Sequence, residues 1–473
     1  MSCPTFKVSV GIPVFGLGFT RDNQLILGGG GGASRSGVKN KLASYKIDIR
    51  RKDLEEDATF DFAATEDAPM CLDVHPSGPY VVAGVNGSEQ DMKDGKNNNC
   101  RTFKILEDKL ELEKAVNTLE SKKAEDYQRV VRFNESGNLV ATGTTDGRVQ
   151  VFKYPDFESV SPAIAVSKDD EVLDVDINLE NEKLTCVLRD GLKLINLRGK
   201  NVGQVVQTIS SATIIKKSTA HFRAFSRYGR GFTKDFGFAV VNGVTKSAAY
   251  IVKYDAYSFD QVKVVKVGNK PITAFAISQD GAILAFASAD LSITLLDALS
   301  FKTLAKIKDA HGFSITCIAV SPDRRLLASA SADNTCRIVS LPLQFGTGLT
   351  VNPLHTLLLA CVVAALLVWI LNFVDLQPFY NLEEGKDVIQ VPDATEAVVP
   401  QTTTPSAYAS PSSAATLDSV AGSFATEALF IQAEVEEPVV VVTVDKENLI
   451  VKPHAIPKSN TIHQYTSTNR DEL

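Results

Sequence analysis

Apolar and polar positions alternate along the first 340 residues in short stretches broken by turn residues. Arg129 opens RVVRFNESGNLVATGTTDGRVQVFKY, Ile272 opens ITAFAISQDGAILAFASADLSITLLDA, and Ile315 opens ITCIAVSPDRRLLASASADNTCRIVSL. Each reads as an alternating strand, a turn (Ser-Gly, Asp-Gly or Pro-Asp), a second strand ending in small residues, an Asp turn and a third alternating strand. Weaker copies begin near Val14, Ala68, Val172 and Phe222.

Seven such units over about 340 residues approach the roughly 40–45-residue period of WD-type blades, which predicts an all-β, seven-bladed β-propeller over residues 1–345. His311, Ser329 and Asp333 have the spacing of the hydrogen-bonded set that ties the strands of such repeats together, although Val339-Ser340 stands where Trp-Asp is usual. The blade pattern accounts for these three residues without a catalytic triad. The apolar strand Phe6-Lys7-Val8-Ser9-Val10 can supply the outer strand of the last blade, closing the ring and covering its edge. One segment breaks the rhythm: residues 106–129, charged and dense in helix formers, predict a short helix outside the ring.

After the repeats the pattern changes. Residues 354–374, LHTLLLACVVAALLVWILNFV, carry no Asp, Glu, Lys or Arg and hold the single tryptophan. At about 1.5 Å per residue this run is long enough to cross a hydrocarbon core roughly 30 Å thick, so a transmembrane helix is expected, joined to the propeller by a linker at 346–353. The N-terminus, MSCPTFKVSV, lacks the apolar core of a signal peptide.

Charge divides the chain at the same place. From Asp375 onward fifteen Asp/Glu stand against five Lys/Arg, a net of −10; the whole chain is −7, which leaves the preceding part at +3. A body so nearly neutral offers no basic stripe for nucleic acid. Residues 375–473 read as a low-complexity tail, with a Ser/Thr/Pro/Ala segment at 398–425 that has too few large apolar residues to fold. The last four residues, Arg470-Asp471-Glu472-Leu473, resemble lumenal retrieval signals, which predicts a lumenal tail and a cytosolic body. The seven cysteines, scattered and absent from the tail, read as reduced thiols rather than a disulfide framework or zinc site. Two glycosylation sequons, at Asn86 and Asn134, lie in the body, and a cytosolic body predicts both unmodified.

Candidate chemistry concentrates in the first repeat, where LGGGGGASRSGVKNKLASYKI separates the strand at 24–27 from the strand at 42–47 by about fourteen residues. A phosphate cradle fails on detail: no G-K-[S/T] and no helix N-terminus follow the glycines. Glycines do permit positive φ and inward-turned carbonyls, which can hold a hard monovalent cation. Asn40 could fold its amide back to brace the backbone, with Val38 as an apolar tip. The alternative is a mobile glycine loop with no partner.

The run GGGGASRSGVKN, residues 29–40, resembles the glycine-rich loop of the endoplasmic-reticulum membrane exchange factors for the Sar-type small GTPase that starts COPII coat assembly. That family shares the order of propeller, single membrane helix and, in fungal members, a sizeable lumenal tail. The resemblance implies a guanine nucleotide exchange factor that makes and breaks no bonds. It implies potassium bound by Gly29, Gly30, Gly31, Gly32, Gly37 and Asn40, and the GTPase engaged by Val38 and Asn40. It also implies the endoplasmic-reticulum membrane, COPII components and a retrieval receptor as partners. A membrane-anchored scaffold or non-catalytic paralogue is the alternative function.

Overall fold

In the computed structural model the described residues are 3–33, 37–215, 219–244, 247–345 and 353–373, with backbone alone at 225–227, 353–356 and 373. They fall into two units, of which the first holds the repeats and the second the helix after residue 346.

The first unit contains seven antiparallel sheets. Blade 1 is β2 (Val14–Phe19), β3 (Leu25–Gly29), β4 (Lys41–Asp48) and β5 (Asp53–Asp61), paired in chain order. Later blades begin at Cys71, Gln128, Asp174, Ala220, Ile272 and Ile315, each within a few residues of the repeat starts expected above. First strands of successive blades pack against one another all the way round, including the first strand of blade 7, Ile315–Val320, against β2. One apolar cluster fills each of the seven blade interfaces; Val14, Leu27 and Ala43 of blade 1, for example, meet Ala328, Cys336 and Ile338 of blade 7. Alternation therefore buries both faces of the inner strands, and their sequences read as nearly continuous apolar runs.

Closure works as expected. β1 (Thr5–Ser9) pairs antiparallel with Thr335–Ser340, so the fourth strand of blade 7 comes from the opposite end of the repeat array. Inside blade 7, His311 Nε2 meets Ser329 Oγ at 2.8 Å and Nδ1 meets Thr335 Oγ1 at 2.9 Å. Asp333 accepts the Gly312 N–H at 2.7 Å and the Thr335 N–H at 3.0 Å. Thr335 completes a set of four that the spacing of three had only partly revealed. Burial holds the His311 imidazole down at about 4, against the opposing pull of Asp333.

Two expectations are corrected. Residues 110–116 form no helix: Leu110–Val116 is the outer strand of blade 2, paired with Cys100–Ile105. Its backbone is satisfied on one side by that ladder, and its glutamates face solvent, so strong helix propensity yields to the repeat. The strand before the glycine loop is longer than expected, because Gly28 and Gly29 belong to β3. A Cβ on Gly29 would lie 1.9 Å from the Pro13 carbonyl oxygen, so close strand approach demands the glycine. The loop is thus residues 30–40.

Both sequon asparagines are buried. Asn86 donates to the Asp126 carbonyl at 2.8 Å, and Asn134 donates to the side chains of Ser136, Asn138 and Asn181.

The short helix α1 (Glu89–Asp94) lies in the loop between the second and third strands of blade 2, capped by Ser88 and Asp91. In the second unit, α2 (Pro353–Phe373) is 21 residues long. Its described side chains, residues 357–372, are all exposed. Among the described residues no helix is long and apolar enough to cross a membrane. The linker at 346–352 and the tail from 374 onward lie outside the described residues.

Candidate functional site

Antiparallel order puts every link between second and third strands, and every link between blades, on one end of the ring. First-to-second and third-to-fourth turns lie on the other. The glycine loop therefore shares its end with the connector 62–70 from blade 1 to blade 2 and with the α1 loop.

Asn40, the last residue of the loop, organises it from within. It is 4% exposed. Its Oδ1 accepts the Gly32 N–H at 2.9 Å, and its Nδ2 donates to the Gly32 carbonyl at 3.0 Å and to the Glu66 carbonyl at 2.9 Å. Its own carbonyl accepts the Phe62 N–H at 2.9 Å. One side chain thereby closes the loop on itself and fastens it to the connector.

The glycines fit this geometry for different reasons. Gly30, at φ 148°, donates its N–H to the Pro13 carbonyl at 2.9 Å; a Cβ there would lie 2.3 Å from Asn40 Oδ1 and 2.7 Å from the Lys39 carbonyl oxygen. Gly37, at φ 77°, has open space around it, so only its left-handed backbone requires glycine. Val38 is half-buried against the apolar cluster between blades 7 and 1. Lys39 is exposed and pairs with Asp61 at 2.7 Å. Gly30, Gly31, Gly32, Gly37, Val38 and Asn40 thus share one loop, whereas Gly29 lies in β3; residues 34–36 are outside the described set.

The connector supplies groups that no local pattern announced. Asp67 is half-buried beside Gly32, and burial pushes its carboxyl above the usual carboxylate range against the pull of the Ala68 and Ala33 N–H groups. No basic side chain pairs with it among the described residues. Glu66 forms an ion pair with Arg101 at 2.7 Å, and the Arg101 guanidinium lies 5.7 Å from the Phe62 ring centre. Asp67 also donates its N–H to the Asn86 carbonyl at 3.0 Å, which ties the connector to the start of the α1 loop. These contacts join residues about twenty or more apart in sequence, beyond the reach of motif spacing.

Chemically the arrangement is a backbone turn braced by Asn40 with a half-buried carboxylate beside it. Among the described residues no cluster of His, Cys, Asp and Glu could hold a metal ion through side chains, and nothing in the loop resembles a nucleophile with its base.

Comparison with known proteins places this architecture among relatives. The WD domain, G-beta repeat family matches residues 302–340, which span the last strand of blade 6 and three strands of blade 7. Guanine nucleotide-exchange factor SEC12 of Candida glabrata is 24% identical over 385 residues, covering 79% of this chain and 80% of that protein. The protein of the same name from Mus musculus is 25% identical over 332 residues, covering 62% and 77%. Among solved structures, Chaetomium thermophilum Raptor matches with a TM-score of 0.54 at 12% identity, covering 72% of this chain and 29% of that one, a likeness of fold alone. Over most of its length this chain is similar to the guanine nucleotide-exchange factors named SEC12, and it is built as a seven-bladed propeller whose residues 302–340 match the WD domain, G-beta repeat.

Proposed function

We propose that this chain is a guanine nucleotide exchange factor for a Sar-type small GTPase, anchored in the endoplasmic-reticulum membrane by α2, and that it initiates COPII coat assembly. The observation that carries the reading is the braced loop of residues 30–40, held by Asn40 on one end of a propeller whose relatives are named exchange factors. The helix that would anchor it is uncharged and covers nearly the run expected from sequence.

Exchange of this kind breaks no covalent bond. The factor binds the nucleotide-free GTPase better than the GDP-bound one, and that difference in affinity shifts the GTPase toward release. A rigid tip favours this, because the cost of ordering the loop has been met before the partner arrives. In this reading Val38 and its neighbours contact the GTPase, and Asn40, from its buried position, holds them in place.

Potassium is part of this reading. The residues that would hold the ion are the glycine stretch and residues 37–40 through backbone carbonyls, with Asn40 Oδ1, and Gly30 lets the chain pass close to Asn40 Oδ1 and the Lys39 carbonyl, where a Cβ would clash. The half-buried Asp67 carboxylate beside Gly32 adds a negative charge that a cation would stabilise. When bound, the ion would supply a fixed positive centre that stiffens the turn.

Release of labelled GDP from the GTPase, with wild-type protein and with Val38→Asp, tests the proposal. Equal rates in the two, with the fold intact, would overturn the role of the tip. The reading as a scaffold or non-catalytic paralogue in the same pathway requires no exchange at all.

A further inference from the structure

Two points on the connector touch Asn40, and one side chain from blade 2 grips both of them. The Phe62 N–H donates to the Asn40 carbonyl, and the Glu66 carbonyl accepts from Asn40 Nδ2, each at 2.9 Å. Arg101, on the third strand of blade 2 (Cys100–Ile105), meets the same two residues: its Nη2 lies 2.7 Å from Glu66 Oε1, and its guanidinium carbon lies 5.7 Å from the centre of the Phe62 ring. Its Nε donates to the Asn98 carbonyl of the α1 loop at 3.2 Å. The side chain is buried.

Both grips set the direction of a backbone group. Glu66 closes a short turn, because its N–H donates to the Ala63 carbonyl at 3.0 Å and its Oε2 accepts the Ala63 N–H at 2.9 Å. With Oε1 on Arg101, both carboxylate oxygens are committed, and the Glu66 carbonyl is left pointing at Asn40. Phe62 is buried and packs edge-on against Phe60 and Phe103, with ring centres 5.1 and 5.9 Å apart. A buried ion pair adds little net stability, since desolvation offsets most of the attraction. What a planar guanidinium does supply is fixed geometry for the groups it meets.

We propose that Arg101 is a positioning residue of the glycine loop. Through Glu66 and Phe62 it sets the place of the two groups that hold Asn40, so the order of residues 30–40 depends on a side chain in the neighbouring blade. Its consequence for GDP release rests on the reading of this chain as an exchange factor; its effect on loop order does not.

The test compares full-length wild type with Arg101→Gln, Arg101→Lys, Glu66→Gln and the double variant of Arg101→Gln and Glu66→Gln, by hydrogen exchange and by release of labelled GDP from the GTPase. Glu66→Gln keeps the backbone carbonyl that Asn40 uses and removes only the charge that Arg101 meets. Arg101→Gln should speed exchange at Gly32 and through residues 37–40 on the order of tenfold, as suits loss of a hydrogen bond to a charged group. The ladder amides of Tyr80–Gly84 and Cys100–Ile105 should stay near wild type, and GDP release should slow. Glu66→Gln should do the same, and the double variant should be no worse than either single one, because the pair acts as a unit. Arg101→Lys keeps the charge without the fork and should recover part of the loss.

Unchanged loop exchange in Arg101→Gln would overturn the proposal. So would an equal rise in the loop and in the blade 2 ladder, which marks general loosening, or additive effects of the two substitutions, which would separate Arg101 from Glu66. If Arg101→Gln does not fold, Glu66→Gln and Arg101→Lys decide the same question by the same exchange pattern. Faster loop exchange in the variants, with GDP release by wild type no faster than the intrinsic rate, would keep the positioning role and remove the exchange-factor reading.

Discussion

Asn40 and Gly32 hold each other through both halves of one amide: Asn40 Oδ1 accepts the Gly32 N–H at 2.9 Å while Asn40 Nδ2 donates to the Gly32 carbonyl at 3.0 Å. The pairing mimics a two-residue strand ladder across the base of the loop. Any account of the loop's rigidity starts from this pair.

Asn40→Ala removes both bonds and the one to Glu66, leaving buried backbone groups without partners. An unsatisfied buried group costs about 1–3 kcal/mol, so the substitution should destabilise the body by roughly 2–4 kcal/mol after water relieves part of the loss. Hydrogen exchange should rise at Gly32 and through residues 37–40. Asn40→Asp, which keeps the acceptor and loses the donor, should fall between. Unchanged exchange in Asn40→Ala would contradict the bracing role.

The glycines should separate by cause. Gly29→Ala would drive a Cβ onto the Pro13 carbonyl, so it should disrupt the pairing of β2 and β3 and lower the unfolding midpoint strongly. Gly37→Ala meets open space and should cost only the strain of a left-handed backbone, about 1–2 kcal/mol. Denaturant unfolding of the two variants, compared with wild type, checks the order.

Ring closure makes β1 a stability element. Deleting residues 1–9 exposes the edge of Thr335–Ser340 and should lower the melting temperature and promote self-association through that edge. Light scattering alongside thermal unfolding reads both effects. A monodisperse protein of unchanged melting temperature would contradict closure by this strand.

His311 makes stability depend on pH. Burial holds its folded pKa at about 4, below the roughly 6.5 of an exposed imidazole, so between those values the unfolded chain binds the extra proton. The stability of the neutral, hydrogen-bonded ring is present above about 6.5 and is lost as pH falls toward 4, by at most ~1.4 kcal/mol per pH unit. His311→Gln should flatten that part of the profile while lowering stability at neutral pH. A parallel profile in the variant would place the dependence elsewhere.

The sequence carried the architecture well where strands alternate and turns are marked. Arg129, Ile272 and Ile315 open near-complete copies, and the four weaker starts became visible as blades once a period was fixed. It misled at 106–129, because Glu, Lys and Leu favour a helix locally while the ladder to Cys100–Ile105 needs an outer strand. It misjudged Gly28 and Gly29, whose role depends on Pro13, Pro69 and Leu72 packed across the sheet. At the candidate site the bracing by Asn40 was legible, since an amide at the end of a glycine turn commonly bonds backwards. Asp67, Glu66 and Arg101 were not: Asp67 and the Glu66 carbonyl meet the loop, and Arg101 meets Glu66, through the packing of blade 2 and its connector against blade 1.

The central claim is that the loop of residues 30–40 accelerates GDP release from a Sar-type GTPase. Full-length protein in vesicles should be added to the GTPase loaded with labelled GDP, in potassium and then in sodium, alongside Val38→Asp and the milder Val38→Ala. The account predicts faster release with wild type in potassium, slower release in sodium, a modest loss in Val38→Ala and near-complete loss in Val38→Asp with the propeller still folded by circular dichroism. Release no faster than the intrinsic rate with wild-type protein, or undiminished acceleration by a folded Val38→Asp, would contradict it.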